Sequence, residues 1–286
     1  MNQVILPDSL FATNRRLWRA VATLLALDAV LLFASNMGVD FSRAGAFFAV
    51  LFACALLSAF YHYARRDDYL FFLGQITAQL LLAILSMGIL SYLGQRLNLP
   101  LTDDGLIAAD RAIGFDWHAY IAWADSHPWI ARLFTLAYFS SGPQVMLIVA
   151  TLFVYKHVAH IQRYIAAFII SALITIFFAS IFPAVAGYIY YDIDIAGTYQ
   201  HLRPAAGRIH EAPLMALRSG EMSVLRFPLE GIVTFPSFHS TLSILLIYAS
   251  WPVRWLRAIA LPLNILVLFS TPVDGGHWLI DVIGGV

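Results

Sequence analysis

The sequence predicts an all-α polytopic membrane bundle of about eight transmembrane helices, and three observations carry the prediction. Hydrophobic residues make up 60% of the 286-residue chain and charged residues 12%, whereas soluble domains carry roughly 25% charged residues. Mean hydropathy is +0.76. Apolar runs near the ~20 residues that a helix needs to cross a bilayer recur along the chain. The formal net charge is zero, which offers no basic surface to nucleic acid; the expected partner is the lipid bilayer. Cys54 is the single cysteine, so no intrachain disulfide can form.

The first run, 17–36 (LWRAVATLLALDAVLLFASN), is long and reads as a retained membrane helix rather than a cleaved signal. The second covers 44–63 and the third 69–95. Residues 103–125 are different: apolar positions recur at helical spacing, with Trp117, Tyr120 and Trp123 set among Asp103, Asp104, Asp110, Asp116 and Asp125. That pattern predicts an amphipathic segment in the headgroup layer. The fourth run is 129–154, with a kink expected at Pro143, and the fifth is 162–187. A polar connection, 188–235, carries Arg203, Arg208, Arg218 and Arg226, with tyrosines at 188, 190 and 191 that read as an interfacial belt. Two shorter runs follow, 238–252 and 255–271. The last begins near 275 and reaches Val286 after a dozen residues, about 18 Å of helix, so it is expected to continue past that point.

The placement of arginine and lysine predicts the orientation. One side collects Arg15, Arg16, Arg19, Arg65, Arg66, Lys156, Arg163, Arg254 and Arg257; the other has Arg43, Arg96, Arg111, Arg132 and the arginines of the long connection. If the latter serve function, the N-terminus is cytoplasmic. The 188–235 loop and the 103–125 segment then face away from the cytoplasm, in a plasma (inner) membrane.

Two short stretches concentrate the chemistry. In STPVDGGHWLID (270–281), His277 and Asp281 are four positions apart at a helix start. They are predicted to share one face, with the carboxylate holding one imidazole nitrogen and freeing the other as nucleophile or base. Gly275 and Gly276 allow close backbone approach, and the helix N-terminus suits a phosphate. A carboxylate inside an apolar helix is functional by default. In FPSFHS (235–240), Pro236 suits a first helical turn, Ser237 can cap or donate, and His239 follows. One hairpin, 240–271, separates the two stretches, so both histidines fall at one membrane edge. His277 would attack phosphorus and His239 would protonate the departing oxygen. His201 and His210 lack the cysteine partners or carboxylate spacing of a metal site and read as loop histidines; no metal and no cofactor are expected.

These motifs resemble the type 2 phosphatidic acid phosphatase superfamily, the membrane lipid phosphate phosphatases, with signatures K-x6-R-P, P-S-G-H and S-R-x5-H-x3-D. The third maps onto Ser270, Thr271, His277 and Asp281, the second onto Pro236, Ser237, Phe238 and His239, and Arg203–Pro204 stand in the position of the first. The chain departs from the pattern at Thr271 for arginine, Phe238 for glycine and Ala196 for lysine. Those departures are similar to the branch that includes inositol phosphorylceramide synthases, which transfer a phosphoryl headgroup between lipids. The resemblance implies a six-helix phosphatase-like core over 69–286, to which the pair of transmembrane helices in 1–68 is an N-terminal addition. It implies His277, His239 and Asp281 as catalytic residues acting through a phosphohistidine. Ser237, Phe238, Arg203, Arg218, Ser270 and Gly276 are the expected substrate contacts. The substrate is expected to be a membrane lipid phosphate or diphosphate monoester, with water or an alcohol as acceptor.

Asp274 matches nothing in that pattern and reads as a headgroup ligand or a group that raises the pKa of His277. Asp28, inside the first run, reads as a polar contact between helices. Two other classes stay open: a transporter using His277, Asp281 and Asp28 as an ion path, and an inactive membrane scaffold. Against the first, the ionisable groups cluster at one edge and no repeat is visible; against the second, the His–His–Asp set is intact.

Overall fold

The computed structural model describes residues 6–286. Its elements in order are α1 (Asp8–Ala34), β1 (Gly38–Asp40), α2 (Gly45–Ala59, prolonged by a π-helical turn, Phe60–Ala64) and α3 (Asp68–Gln95). Next come α4 (Asp103–Ala112), α5 (Trp117–Asp125), α6 (Pro128–Val154) and α7 (Val158–Ile181). The long connection holds α8 (Gly187–Tyr190), α9 (Ile195–Thr198), α10 (Glu211–Ser219) and β2 (Val224–Arg226), before α11 (Phe238–Ser250), α12 (Arg254–Asp274) and α13 (Leu279–Gly285).

The all-α bundle is as expected. Among the described residues six helices are long and apolar enough to cross a membrane: α1, α2 with its π turn, α3, α6, α7 and α12. The seventh expected span is the 13-residue α11, and α13 stands where the eighth is expected. Large apolar side chains such as Phe33, Phe52, Leu136 and Phe139 point outward, which suits a lipid-facing surface and not a watery one. This is an integral membrane protein.

Local chemistry sets the boundaries. Asp67 caps α3 by accepting from Leu70 N at 3.2 Å, and Asp116 caps α5 through Ala119 N at 3.0 Å. Pro128 starts α6, where its missing N–H costs nothing. Helix α6 runs on through Pro143 to Val154. Helix α7 stops at Ile181, so the connection begins six residues before the expected 188.

Helix α3 packs against α1, α2 and α7, and its Phe72, Ile76, Leu80 and Ala83 belong to a buried core shared with residues of α1, α6, α7 and α11. Lipid offers no hydrophobic drive between helices, so small residues and polar pairs hold them together. A Cβ on Gly74 of α3 would lie 2.5 Å from the Cys54 carbonyl of α2, so these two backbones touch. Gln79 of α3 donates to Asn14 Oδ1 at 2.8 Å, and Trp18 donates to Gln75 Oε1 at 2.6 Å. Asp28 is buried at this α1–α3 seam beside Ser86.

Candidate active site

The site grows from the end of α12. A helix leaves its last carbonyls without intrahelical partners, and here aromatic donors from the surrounding segments meet them. Tyr120 Oη donates to Phe269 O at 2.8 Å, Trp117 Nε1 to Pro272 O at 3.2 Å, and Tyr188 Oη to Val273 O at 2.9 Å. Tyr188, expected in an interfacial belt, is fully buried.

Asp274 ends the helix, and it is an anchor. Its Oδ1 accepts from Thr135 Oγ1 at 2.8 Å and from Ala205 N at 3.2 Å, and its carbonyl accepts from Ala206 N at 2.9 Å. It thereby fastens the segment after Arg203–Pro204 to α6 and α12. Gly275 and Gly276 follow. Gly276 has φ +69°, and a Cβ there would meet Tyr188 Cδ2 at 2.8 Å. At Gly275 a Cβ would stand 2.5 Å from His277 Cδ2 and 2.9 Å from Tyr138 Oη. At both positions the missing side chain makes room for neighbouring rings.

His277 Nδ1 lies 3.2 Å from Asp281 Oδ2, as the spacing predicts, but the two do not share a helical face. Helix α13 begins at Leu279, so His277 precedes it and Asp281 reaches back over the helix start, also accepting from Trp278 N at 3.0 Å. Asp110 of α4 accepts from Leu279 N at 2.9 Å and Ile280 N at 2.7 Å. The first N–H groups of α13 are therefore taken, and the phosphate expected at this helix end finds no free donor there. Asp103, seven residues earlier on the same face of α4, accepts from Trp278 Nε1 at 3.0 Å and from Val185 N at 3.1 Å. Burial pushes both α4 carboxyls above the usual carboxylate range, against the pull of these bonds. Asp103 and Asp110 of the amphipathic segment thus face inward and hold the turn that carries His277.

His239 stands in the first turn of α11, which Ser237 caps through Ser240 N at 3.4 Å; Pro236 precedes the cap instead of opening the helix. Ser237 N donates to the Asp281 carbonyl at 2.9 Å, so the two motifs are stitched backbone to backbone. Tyr138 of α6 stacks on the His239 ring, centroids 4.0 Å apart, with its Oη 3.0 Å from Nδ1. No sequence signal marked Tyr138, one aromatic among many in an apolar run.

Both histidines open on one cavity of about 120 Å³. Its other walls include Tyr138, Phe238, His210, Glu230, Thr234, Gly275 and the Ala206–Gly207 backbone. Burial pushes the His277 imidazole down to about 4, against a backbone hydrogen bond with Thr234 that pulls upward. Burial also lowers the His210 imidazole, which Glu230 partly offsets and nearby His277 reinforces. His210 is thus a cavity residue, where the sequence suggested a loop histidine.

Other expected contacts lie elsewhere. Ser237 serves as a buried cap, and Gly276, its carbonyl bonded to Gly187 N at 2.7 Å, acts through its backbone. Ser270 and Thr271 bond back to Val267 O at 2.8 Å each and are fully buried. Arg218 donates to Leu99 O at 2.7 Å, Arg208 is paired with Asp192 and Glu211, and Arg203 lines a different cavity. Among the described residues no arginine or lysine lines the histidine cavity. The sequence could not show which loop cations were already engaged.

A family model described as the PAP2 superfamily matches residues 104–286, from α4 to the last residue. No curated protein and no solved structure matches the chain.

Proposed function

Since the chain belongs to the PAP2 superfamily, a group of phosphatase-type enzymes, we propose that it is an integral-membrane lipid phosphate phosphatase working through a phosphohistidine. One observation carries the reading: two imidazoles, each held at Nδ1 by a different partner, open on one cavity. Asp281 on Nδ1 of His277 leaves the Nε2 lone pair for attack, and a neutral ring is the nucleophilic form. In its protonated form His239 donates Nδ1–H to Tyr138 Oη and holds a second proton on Nε2, where a leaving oxygen can take it.

In the first half-reaction His277 Nε2 bonds to phosphorus, the bond from phosphorus to the lipid oxygen breaks, and that oxygen takes the proton from His239. In the second, water attacks phosphorus and gives its proton to His239. The N–P bond breaks and phosphate leaves with His277 restored. First-turn N–H groups of α11 and the His210 ring supply the anion contacts, and no metal takes part. The bilayer presents the substrate, and the site faces away from the cytoplasm with the N-terminus inside.

A second reading is headgroup transfer to a lipid alcohol. It is favoured by the absence of arginine and lysine from the described cavity walls, since a phosphodiester carries one negative charge where a monoester carries nearly two. An apolar crevice that shares Glu230, Gly231, Val233 and Phe238 with the cavity, and is otherwise walled by Leu229, α3 and α7, gives an acceptor lipid a place to lie.

The test is phosphate release from a panel of lipid phosphates by the purified protein with EDTA present, beside His277→Ala. Release that survives EDTA and vanishes in the variant is expected. Release unchanged in the variant sinks the phosphohistidine, and transfer to an added lipid alcohol without phosphate release selects the second reading.

A further inference from the structure

Beyond the 203–207 segment from the histidines lies a second cavity, of about 520 Å³. Its polar walls are Arg132 and Thr135 of α6 with Gln200, His201 and Arg203 of the long connection. It holds two guanidinium groups, and among the described residues neither is in an ion pair. The only hydrogen bond of the Arg203 side chain among these residues goes to the neighbouring Leu202 carbonyl.

Among the described residues neither Asp125 nor Asp274 is paired with these guanidiniums. Asp125 accepts the N–H groups of Gln200, His201 and Leu202 at 3.2, 2.7 and 3.1 Å, an arrangement that fixes the loop carrying Arg203. Asp274 Oδ1 is taken by Thr135 and Ala205, and its Oδ2 is buried without a hydrogen-bond partner among the described residues. The cleft is therefore a fixed, cationic and uncompensated recess.

Its depth indicates what fills it. Arg132 precedes Tyr138 by six residues on α6, so it lies about 9 Å nearer the membrane surface than the side chain that holds His239. One and two turns further into the bilayer on the same helix face, Leu136 is 69% and Phe139 61% exposed. A charged recess at headgroup level above an exposed apolar strip has the form of an amphiphile's complement. A planar guanidinium matches phosphate oxygens two at a time.

We propose that this cleft binds a membrane lipid with an anionic phosphate headgroup, at a site separate from the histidine cavity, with Arg132 and Arg203 on the phosphate and the acyl chain along Leu136 and Phe139. The proposal does not depend on the reaction assigned to the histidines.

The experiment is native mass spectrometry of the delipidated full chain in detergent, titrated with phosphatidylglycerol or phosphatidylcholine. Wild type retains phosphatidylglycerol in preference to phosphatidylcholine. Arg132→Gln/Arg203→Gln weakens that retention by about tenfold, the scale of two lost charge-assisted contacts. Each single variant falls between, so the result survives a double variant that folds poorly. Arg163→Gln/Arg254→Gln, which removes the same charge at the opposite helix ends, leaves retention unchanged. Equal loss in that control, or no loss in the cleft variants, overturns the site. An excess of inorganic phosphate that displaces the lipid completely overturns the lipid as occupant and makes the recess a site for free phosphate.

Discussion

Tyr138→Phe removes a single oxygen while keeping the ring that stacks 4.0 Å from His239. The loss is the 3.0 Å contact with Nδ1. A hydrogen bond from a charged ring contributes ~1.5–3 kcal/mol net, and a buried group left without a partner costs ~1–3 kcal/mol. If that cost falls on the ability of the ring to present a proton at Nε2, the step that protonates the leaving oxygen slows by ~5- to 150-fold. The assay compares two phosphate monoesters under single turnover, one with an alkyl lipid leaving group and one with nitrophenol, which departs without a proton. Tyr138→Phe should slow the first and leave the second near wild type. Equal slowing of both, or of neither, would refute the assignment of His239 as an acid positioned by Tyr138.

Other perturbations test the scaffold around the histidines. Asp110→Ala leaves two N–H groups of α13 without their acceptor and should cost ~2–5 kcal/mol in denaturant unfolding, with Asp110→Asn recovering about half. Gly275→Ala sets a methyl 2.5 Å from His277 Cδ2; kcat should fall about 100-fold, as for a misplacement of an ångström, while circular dichroism stays helical. The His277 imidazole is pushed down to about 4 in the folded chain from an ordinary value of 6.5. Between those values the unfolded chain binds the proton and the folded one does not. The contribution is therefore complete above pH 6.5 and lost as pH falls toward 4, ~3 kcal/mol in all. Unfolding free energies of wild type minus His277→Asn across that range measure it, and a flat difference would contradict the depressed value.

The legible parts of this molecule were those written in local pattern. The apolar runs located the long helices because bilayer thickness leaves few alternatives. The spacing of His277 and Asp281 announced their pairing, although the pair bridges the start of α13 instead of lying along it. Asp103 and Asp110 were legible as members of an amphipathic segment, but not as a face turned inward, because amphipathicity does not say what lies opposite. Asp274 had no local meaning; its partners are Thr135, 139 residues away in sequence, and Ala205. The loop arginines were ambiguous for the same reason. Arg208 is engaged by Asp192 and Glu211 and Arg203 is not, a difference made by chain geometry rather than by residue type.

The short parallel pairing of β1 with β2, Gly38 opposite Val224 and Asp40 opposite Arg226, has a bearing on how such chains can be recombined. Leu225 beside it is fully buried with Met37, Leu217 and Ile232, and Ile232 is itself a wall of the histidine cavity, its N–H held by Ser91 of α3 at 3.0 Å. The turn between the first two helices is thereby keyed to the cavity wall, although it precedes the matched segment. A chimera that grafts residues 104–286 onto another leader would leave one strand without its mate and would need a leader chosen to fit the 188–235 connection. The two regions pack as one unit, to be exchanged together or left together.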